Sequence, residues 1–286
     1  MDYINISDLN VSLTEAHLSA LIPILAFWVS ATAYEVIDHY NLLPQYRLPV
    51  ASQTQKKEKK ESPFNPSKSQ VIRHVLFLHS IQILLEVGVD CLGIGVGEEG
   101  EEEKAWSLNS IWRYQHSTDD SLRSTLSHGA VLLARQLLAL IVIDTWVFWM
   151  HYTMHKVPWL YRNIHSAHHK IDIPYAYAAM YNSFAEAVLI DMLGCLLSQI
   201  LLDLSSREAI FLFTFATMKV VDDHSGYAIP WAPGAIFGKM TGCDGAWHDV
   251  HHKSWGRGRN FANYFGGWDW VMGTAYIPGD GKTKTL

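Results

Sequence analysis

Runs of about twenty apolar residues, set between strongly charged tracts, limit what this 286-residue chain can fold into more than any other feature. Crossing the hydrocarbon core takes about 20 mostly apolar residues. In lipid every peptide group must be satisfied within the protein, and a single segment does that as a helix. Candidate spans run from about Leu18 to Val36, Val71 to Val96, Gly129 to Met150, Ala185 to Leu202 and Ala209 to Val221. Arg73, His74, His79, Glu86 and Asp90 interrupt the second. The last two are joined by the short "DLSSRE" turn, and the fifth is too short to cross straight through, so this pair reads as a hairpin that crosses only in part. The expected fold is an all-α, multi-span helical membrane protein with about four spans.

Charge gives this fold an orientation. The tract "QKKEKKE" lies between the first two spans and "GEEGEEEK" between the second and third. Lys and Arg mark the cytoplasmic side, whereas acidic residues carry little weight. The loop at 56–60 is then cytosolic, and the N-terminus and the acidic loop are luminal. The sequons at Asn5 and Asn10 agree with a luminal N-terminus. The ending "KTKTL", with Lys282 and Lys284, resembles a cytosolic di-lysine retrieval signal of endoplasmic-reticulum membrane proteins. Together these imply a multi-pass protein of that membrane.

Composition excludes other classes. Only 17% of residues are charged, against about 25% in a soluble protein. A net charge of −6 without a basic stripe argues against nucleic acid. Cys91, Cys195 and Cys243 lack C-x-x-C spacing and give neither a disulfide framework nor a thiolate metal site. The N-terminus lacks the basic segment and cleavage site of a signal peptide.

Nine of the fifteen histidines fall in four clusters in the C-terminal half. The word H-x-x-H-H occurs twice, as His165, His168 and His169 and as His248, His251 and His252. His151 and His155 form an i, i+4 pair at the end of the third span, and His224 stands between the two words. The charge-derived topology brings all nine to one cytosolic face, where a helical cap would hold them. Neutral imidazole is the commonest metal ligand. Adjacent histidines diverge by about 100° on a helix, so each triad can face one ion and turn its last histidine toward another. The expectation is a shared di-metal cage of His151, His155, His165, His168, His169, His224, His248, His251 and His252. His74, His79 and His128 read instead as core residues, and His17, His39 and His116 as surface ones.

Imidazole suits zinc, copper, iron and nickel. A structural zinc closes with four ligands, the zinc-protease word H-E-x-x-H is absent, and no methionine or cysteine cluster points to copper. Two irons beside a membrane suit dioxygen activation against a lipid C–H bond, though zinc can fill the same nitrogens in recombinant material. Asp144, Asp222 and Asp223 are expected to hydrogen-bond ligand imidazoles from outside the cage. Asp249 reads equally as a capping or solvated residue.

The order H-x-x-x-H, H-x-x-H-H, H-x-x-H-H resembles the fatty acid hydroxylase/sterol desaturase superfamily of membrane di-iron enzymes. The likeness covers about residues 130 to 275 and includes "MHYTMHKVPWLYRNIHSAHHKIDIPYAYAAMYN", "DDHSGY" and "WHDVHH" followed by "NFANYFGGWDWVMGT". The tract from Pro174 to Asn182 is most similar to the sphingolipid C-4 hydroxylase branch. Relatives often continue it as N-H-P-x-E, whereas this chain has Asn182-Ser183-Phe184-Ala185-Glu186.

The resemblance implies N-terminal spans over 1–128, a catalytic domain over 129–275 and a cytosolic tail over 276–286. It implies hydroxylation of a sphinganine or dihydroceramide at C-4, with dioxygen and with electrons from NAD(P)H through a separate cytochrome b5 and its reductase. No H-P-G-G haem motif of a fused cytochrome occurs. Tyr175, Tyr177, Tyr181 and Asn182 are candidates for the substrate channel. A sterol desaturase or methyl oxidase and a fatty-acyl hydroxylase would use the same cage. A multispan metal transporter would place its site at mid-membrane, and an inactive scaffold would not need the whole histidine set.

Overall fold

The computed structural model describes residues 15–48, 66–91, 122–171, 173–253 and 255–277. The all-α expectation holds among them, with no strand beyond an isolated bridge between Arg47 and Tyr227. The loop at 56–60, the acidic tract at 97–104, Asn5, Asn10, His116, Lys282 and Lys284 lie outside the described residues.

Four long rods carry the fold. They are α1 (Glu15–His39), α2 (Lys68–Cys91), α3 (Leu122–Lys156) and the rod α5, in which Phe184–Glu186, a π-helical stretch Ala187–Met192 and Leu193–Leu202 follow without a break. Among the described residues, three helices are long and apolar enough to cross a membrane: His17–His39, Gly129–Lys156 and Phe184–Leu202. Their outer faces remain apolar, with Val29 71% and Leu133 60% exposed, as a face turned to lipid requires. The expected second and fifth spans are helices, α2 and α6 (Ser206–His224), but neither is among those three. Arg73, His74 and His79 break the apolar run of α2. Lys219, Asp222, Asp223 and His224 end that of α6.

Helix α6 is the centre of the packing. Ser205 accepts from the Glu208 amide while Glu208 receives the Ser205 amide, a capping box that fixes where α6 begins. Arg135 of α3 pairs with Glu208 at 2.6 Å. On one side, Phe27, Ala31 and Tyr34 of α1 and Val71 and Val75 of α2 bury against Val221. On the other, Leu140, Ile143 and Val147 of α3 bury against Ile190, Leu212 and Ala216. Burial at about 25 cal/mol per Å2 makes these two apolar seams the main source of cohesion. They also set the C-terminal ends of α3 and α6 side by side. Short helices close over that end: α4 (Pro158–Asn163), α7 (Pro233–Thr241), α8 (Gly245–His252) and α9 (Gly267–Met272).

Candidate metal centre

All nine expected histidines converge at this end of the molecule. They sort into two groups: His151, His155, His165, His169 and His251, and His168, His224, His248 and His252. Within each group one ring nitrogen per residue lies within 4.8 Å of every other. His151 and His155 come from the last turns of α3, and His224 ends α6. The second H-x-x-H-H word occupies α8, whose Asp244 caps the Trp247 amide at 3.0 Å. The first word lies on a 3-10 turn, His165–Lys170, and not on an α-helix as its spacing predicts.

The two words exchange histidines. The first and fifth positions of each stay in one group, while the fourth crosses to the other: His168 joins His248 and His252, and His251 joins His165 and His169. The expectation was that the last histidine would cross. On α8 the geometry explains the difference, since at 3.6 residues per turn the fifth position lies about 40° from the first and the fourth about 60° away.

Every inward-facing nitrogen is Nε2. In the group of five, His151 faces His165 at 3.1 Å, His165 faces His169 at 3.0 Å, and His169 faces His155 at 3.1 Å and His251 at 3.2 Å. In the group of four, His168 faces His252 at 3.1 Å, His252 faces His248 at 3.0 Å, and His248 faces His224 at 3.1 Å. The outer nitrogens decide the tautomers. His151, His224 and His251 donate from Nδ1 to the carbonyls of Phe261, Val220 and Arg259 at 3.0, 2.8 and 2.7 Å. A carbonyl only accepts, so these three rings carry their proton at Nδ1 and a bare lone pair at Nε2. Burial reinforces neutrality by disfavouring the charged ring. It lowers His165 and His224 to about 3 and His168 to about 4, and holds His169, His248, His251 and His252 well below the usual histidine range.

Converging lone pairs repel each other unless a cation lies between them. A metal–nitrogen bond of about 2.0–2.1 Å sets ligands at right angles about 3 Å apart, the spacing seen between neighbouring nitrogens. The donor set therefore fits a transition-metal ion in each group.

The carboxylate that touches this cage is Glu186, whose Oε1 lies 2.6 Å from His165 Nδ1. Asp144, Asp222 and Asp223, expected in that role, hold other parts of the frame. Asp144 accepts from the amides of Asn263, Tyr264 and Phe265 at 3.2, 2.8 and 3.3 Å. Asp222 accepts from the Tyr34 hydroxyl and the Gly234 amide, both at 2.6 Å. Asp223 is paired with the fully buried Lys219 at 2.5 Å, and burial pushes its carboxyl up to about 7. Asp249 pairs with Lys253 at 3.1 Å. Helical position explains part of the outcome: Asp223 and Asp222 point about 100° and 160° away from His224, and Asp144 lies two turns before His151. The signal for Glu186 was present as the final letter of the N-x-x-x-E departure.

The carbonyls that orient His151 and His251 belong to a loop that spacing did not single out. Asn260 adopts a left-handed φ of 55°, which asparagine tolerates better than most residues. Its side chain donates to the Trp247 carbonyl at 2.9 Å and accepts from the Tyr276 amide at 2.8 Å. Asp269, fully buried, accepts from the amides of Phe261 and Ala262 at 3.0 and 2.7 Å. Gly256 is required nearby, since a β-carbon there would sit 1.8 Å from the Val250 carbonyl of α8.

The candidate channel residues lie together between α1, α2 and the cage. Tyr177 shares a hydrogen bond with Thr32 at 2.8 Å, Tyr181 packs on His74, and His74 donates to the Asn182 carbonyl at 2.7 Å. The Tyr175 hydroxyl is buried without a hydrogen-bond partner.

Membrane-length apolar helices and nine inward-facing imidazoles gathered at one end of the frame define a membrane protein with a histidine cage suited to metal. The fatty acid hydroxylase family model matches residues 136–274. The chain is 34% identical to sphinganine C4-monooxygenase 1 of Arabidopsis thaliana, over 91% of this chain and 87% of that one. It is 31% identical to a sphingolipid C4-hydroxylase of Saccharomyces cerevisiae, over 92% and 73%, and 32% identical to a very-long-chain aldehyde decarbonylase of Oryza sativa subsp. indica, over 88% and 85%. No solved structure matches. The chain belongs to the fatty acid hydroxylase family and is an oxidoreductase.

Proposed function

We propose that this protein hydroxylates a sphingoid base or dihydroceramide at C-4, replacing one hydrogen with hydroxyl to give a phytosphingosine-type product. The observation that carries the substrate is the likeness to the Arabidopsis sphinganine C4-monooxygenase, which extends over nine-tenths of this chain and so beyond the histidine words. The balance requires one dioxygen, two electrons and two protons for each hydroxyl and water formed. The electrons come from NAD(P)H through cytochrome b5 and its reductase, since the chain contains no haem motif of its own. The setting is the endoplasmic-reticulum membrane, with the cage on the cytosolic side, as the basic loop at 56–60 argues.

The nine histidines are the proposed ligands, five for one ion and four for the other. Two iron ions held there would supply dioxygen activation, taking up the delivered electrons and oxidising the reacting carbon. The protein's own part is positional. The carbonyls of Phe261, Arg259 and Val220 and the Glu186 carboxylate fix four ring orientations, so the nitrogens need no rearrangement on metal binding. Burial of the cage excludes bulk water from the reacting carbon. The acyl chain lies along the apolar faces of the spans, with its head toward the Tyr175–Asn182 tract.

Expression in a host lacking C-4 hydroxylase tests this reading, with lipid products and bound metal measured on the same material. The expected result is restored 4-hydroxylated sphingoid base. Metal-loaded protein that yields a hydroxylated sterol or fatty acyl chain, or a hydrocarbon one carbon shorter than an aldehyde supplied, overturns it.

A further inference from the structure

Asp144 lies within a membrane-length helix, where an ionisable side chain marks a specific task. The apolar stretch of α3, Gly129–Lys156, exceeds the about 20 residues that cross a hydrocarbon core. With the cage histidines at its end kept outside the lipid, the core runs from about Gly129 to Trp149. Trp149 is partly exposed, which suits a tryptophan at a membrane interface. Asp144 then sits more than a turn below that boundary. Its partners are the amides of Asn263, Tyr264 and Phe265, and beside it the Trp268 indole donates to the Thr145 hydroxyl at 3.1 Å. Irregular backbone at membrane depth is tolerated only where the protein buries and satisfies it. Asp144 does this for the segment that leads into α9.

Helix α7 reaches a similar depth. A β-carbon on Gly234 would lie 2.6 Å from the Asp222 carboxylate, so the start of α7 is pinned beside the cage end of α6. From there it heads back along α6. Phe237 packs on Phe215, about 10 Å down that helix from Asp222, at 5.4 Å and on Phe265 at 5.5 Å. The outer surface of both segments is apolar. Residues 231–241 and 261–273 hold two charged side chains, Lys239 and the fully buried Asp269. Met240 is 81% and Val271 73% exposed, and Ile236 and Trp270 are also turned outward. These residues continue the surface that faces lipid, through the exposed Phe211 of α6 and Ile141 of α3.

We infer that α7 and residues 262–272 are sunk as a re-entrant wedge in the bilayer leaflet on the cage side, with Ile236, Met240, Trp270 and Val271 against acyl chains. An apolar surface of this extent on a water-facing cap would mark a contact site. The occupant is lipid because the exposed residues stand on four helices and run on from the spans as a belt, where a second copy would need one patch. Lys239, the single exposed charge of the two segments, can lay its stem along apolar surface and reach the headgroups. The membrane surface then lies at the level of Trp149, immediately below the cage. On the sphingoid-base reading, C-4 lies next to the polar head and so at that same height, within reach of the cage from the leaflet. That consequence rests on the proposed substrate, whereas the wedge does not.

Spin labels on Met240→Cys and Val271→Cys test the wedge, with Arg162→Cys on the exposed part of α4 as the reference and labelled wild type as the blank. The protein is full-length, reconstituted into phosphatidylcholine vesicles and loaded with zinc, which has no unpaired electrons to disturb the label. Collisions with oxygen, which concentrates among acyl chains, are compared with those of a water-soluble chromium oxalate complex. The oxygen-to-chromium ratio is expected to be higher at residues 240 and 271 than at 162. Ile236→Cys repeats the measurement if the 240 variant does not retain metal. Ratios no higher than at 162 place both segments in water and overturn the wedge. Spin–spin broadening at 271 that vanishes on dilution with unlabelled protein makes this face a contact between two copies, and overturns it as well. None of these readings involves a sphingolipid, so failure of the wedge and failure of the proposed substrate are separate results.

Discussion

The two H-x-x-H-H words have the same pattern and the same crossed partition, yet they stand on different backbones. The second is a capped α-helix, where 100° per residue separates the fourth position from the first and fifth. The first is a 3-10 turn, where 120° per residue eclipses the first and fourth positions and displaces the fifth. Backbone periodicity alone would therefore sort the first word differently. Its anchors explain why it does not. His165 is held from outside by the Glu186 carboxylate, a side chain delivered by α5, whereas His251 is held by the Arg259 carbonyl, a backbone group. Identical words reach the same arrangement because one relies on its helix and the other on a neighbour.

The largest expected effect comes from removing the crossed histidine of either word. His168→Ala and His251→Ala should each lose metal from one group and reduce hydroxylation to background. That exceeds the about 10–100-fold loss typical of an outer partner. Metal analysis of the purified variants checks this, and a variant with full metal and full turnover would refute the shared cage. The next effect should separate the words. Glu186→Leu removes the carboxylate anchor of a cage imidazole, and metal affinity should fall about 10–100-fold. No equivalent single substitution exists for His251, because its anchor is a carbonyl. Unchanged metal affinity in Glu186→Leu would mean that the 3-10 turn holds His165 by itself.

Legibility followed the range of the interaction. Among the described residues the apolar runs correspond to three membrane-length helices, and the two repeated words, the His151–His155 pair and His224 named the nine histidines that the structure brings together, because these signals are mostly local spacings. The polar interruptions in α2 and the charged end of α6 were readable too, and those helices are not among the membrane-length ones. The anchors were not readable in this way. Glu186 lies 21 residues from His165, and Phe261 lies 110 from His151. Asp144, Asp222 and Asp223 were proposed from nearness in sequence, but the helix turns Asp222 and Asp223 away from His224 and sets Asp144 two turns from His151. Carbonyl acceptors leave no side-chain trace at all. Only the left-handed backbone at Asn260 hints at them, and asparagine is permissive rather than diagnostic there.

A third prediction concerns the loop that supplies those carbonyls. Asp269→Ala leaves the buried amides of Phe261 and Ala262 unpaired, at about 1–3 kcal/mol for each such group. Thermal stability should fall clearly. Metal should be lost in proportion from the group that contains His151 and His251, because Phe261 and Arg259 orient those rings. A melting curve and metal stoichiometry measured together check both parts. Loss of stability with the group of five intact would show that the ring tautomers do not depend on the loop.

The smallest effect serves as the contrast for all of these. Ser205 caps α6 at the end opposite His224, with the helix from Ser206 to His224 between them. Ser205→Ala should cost about 0.5–2 kcal/mol through lost capping and lower the melting temperature modestly. Because α6 is gripped along both sides by the two apolar seams, fraying of its first turn should not reach its last. Metal content and the pattern of products should therefore match wild type. If Ser205→Ala instead depleted metal, α6 would transmit strain along its whole length, and the cage would depend on the entire rod. Its local anchors would then no longer explain why the two words behave alike.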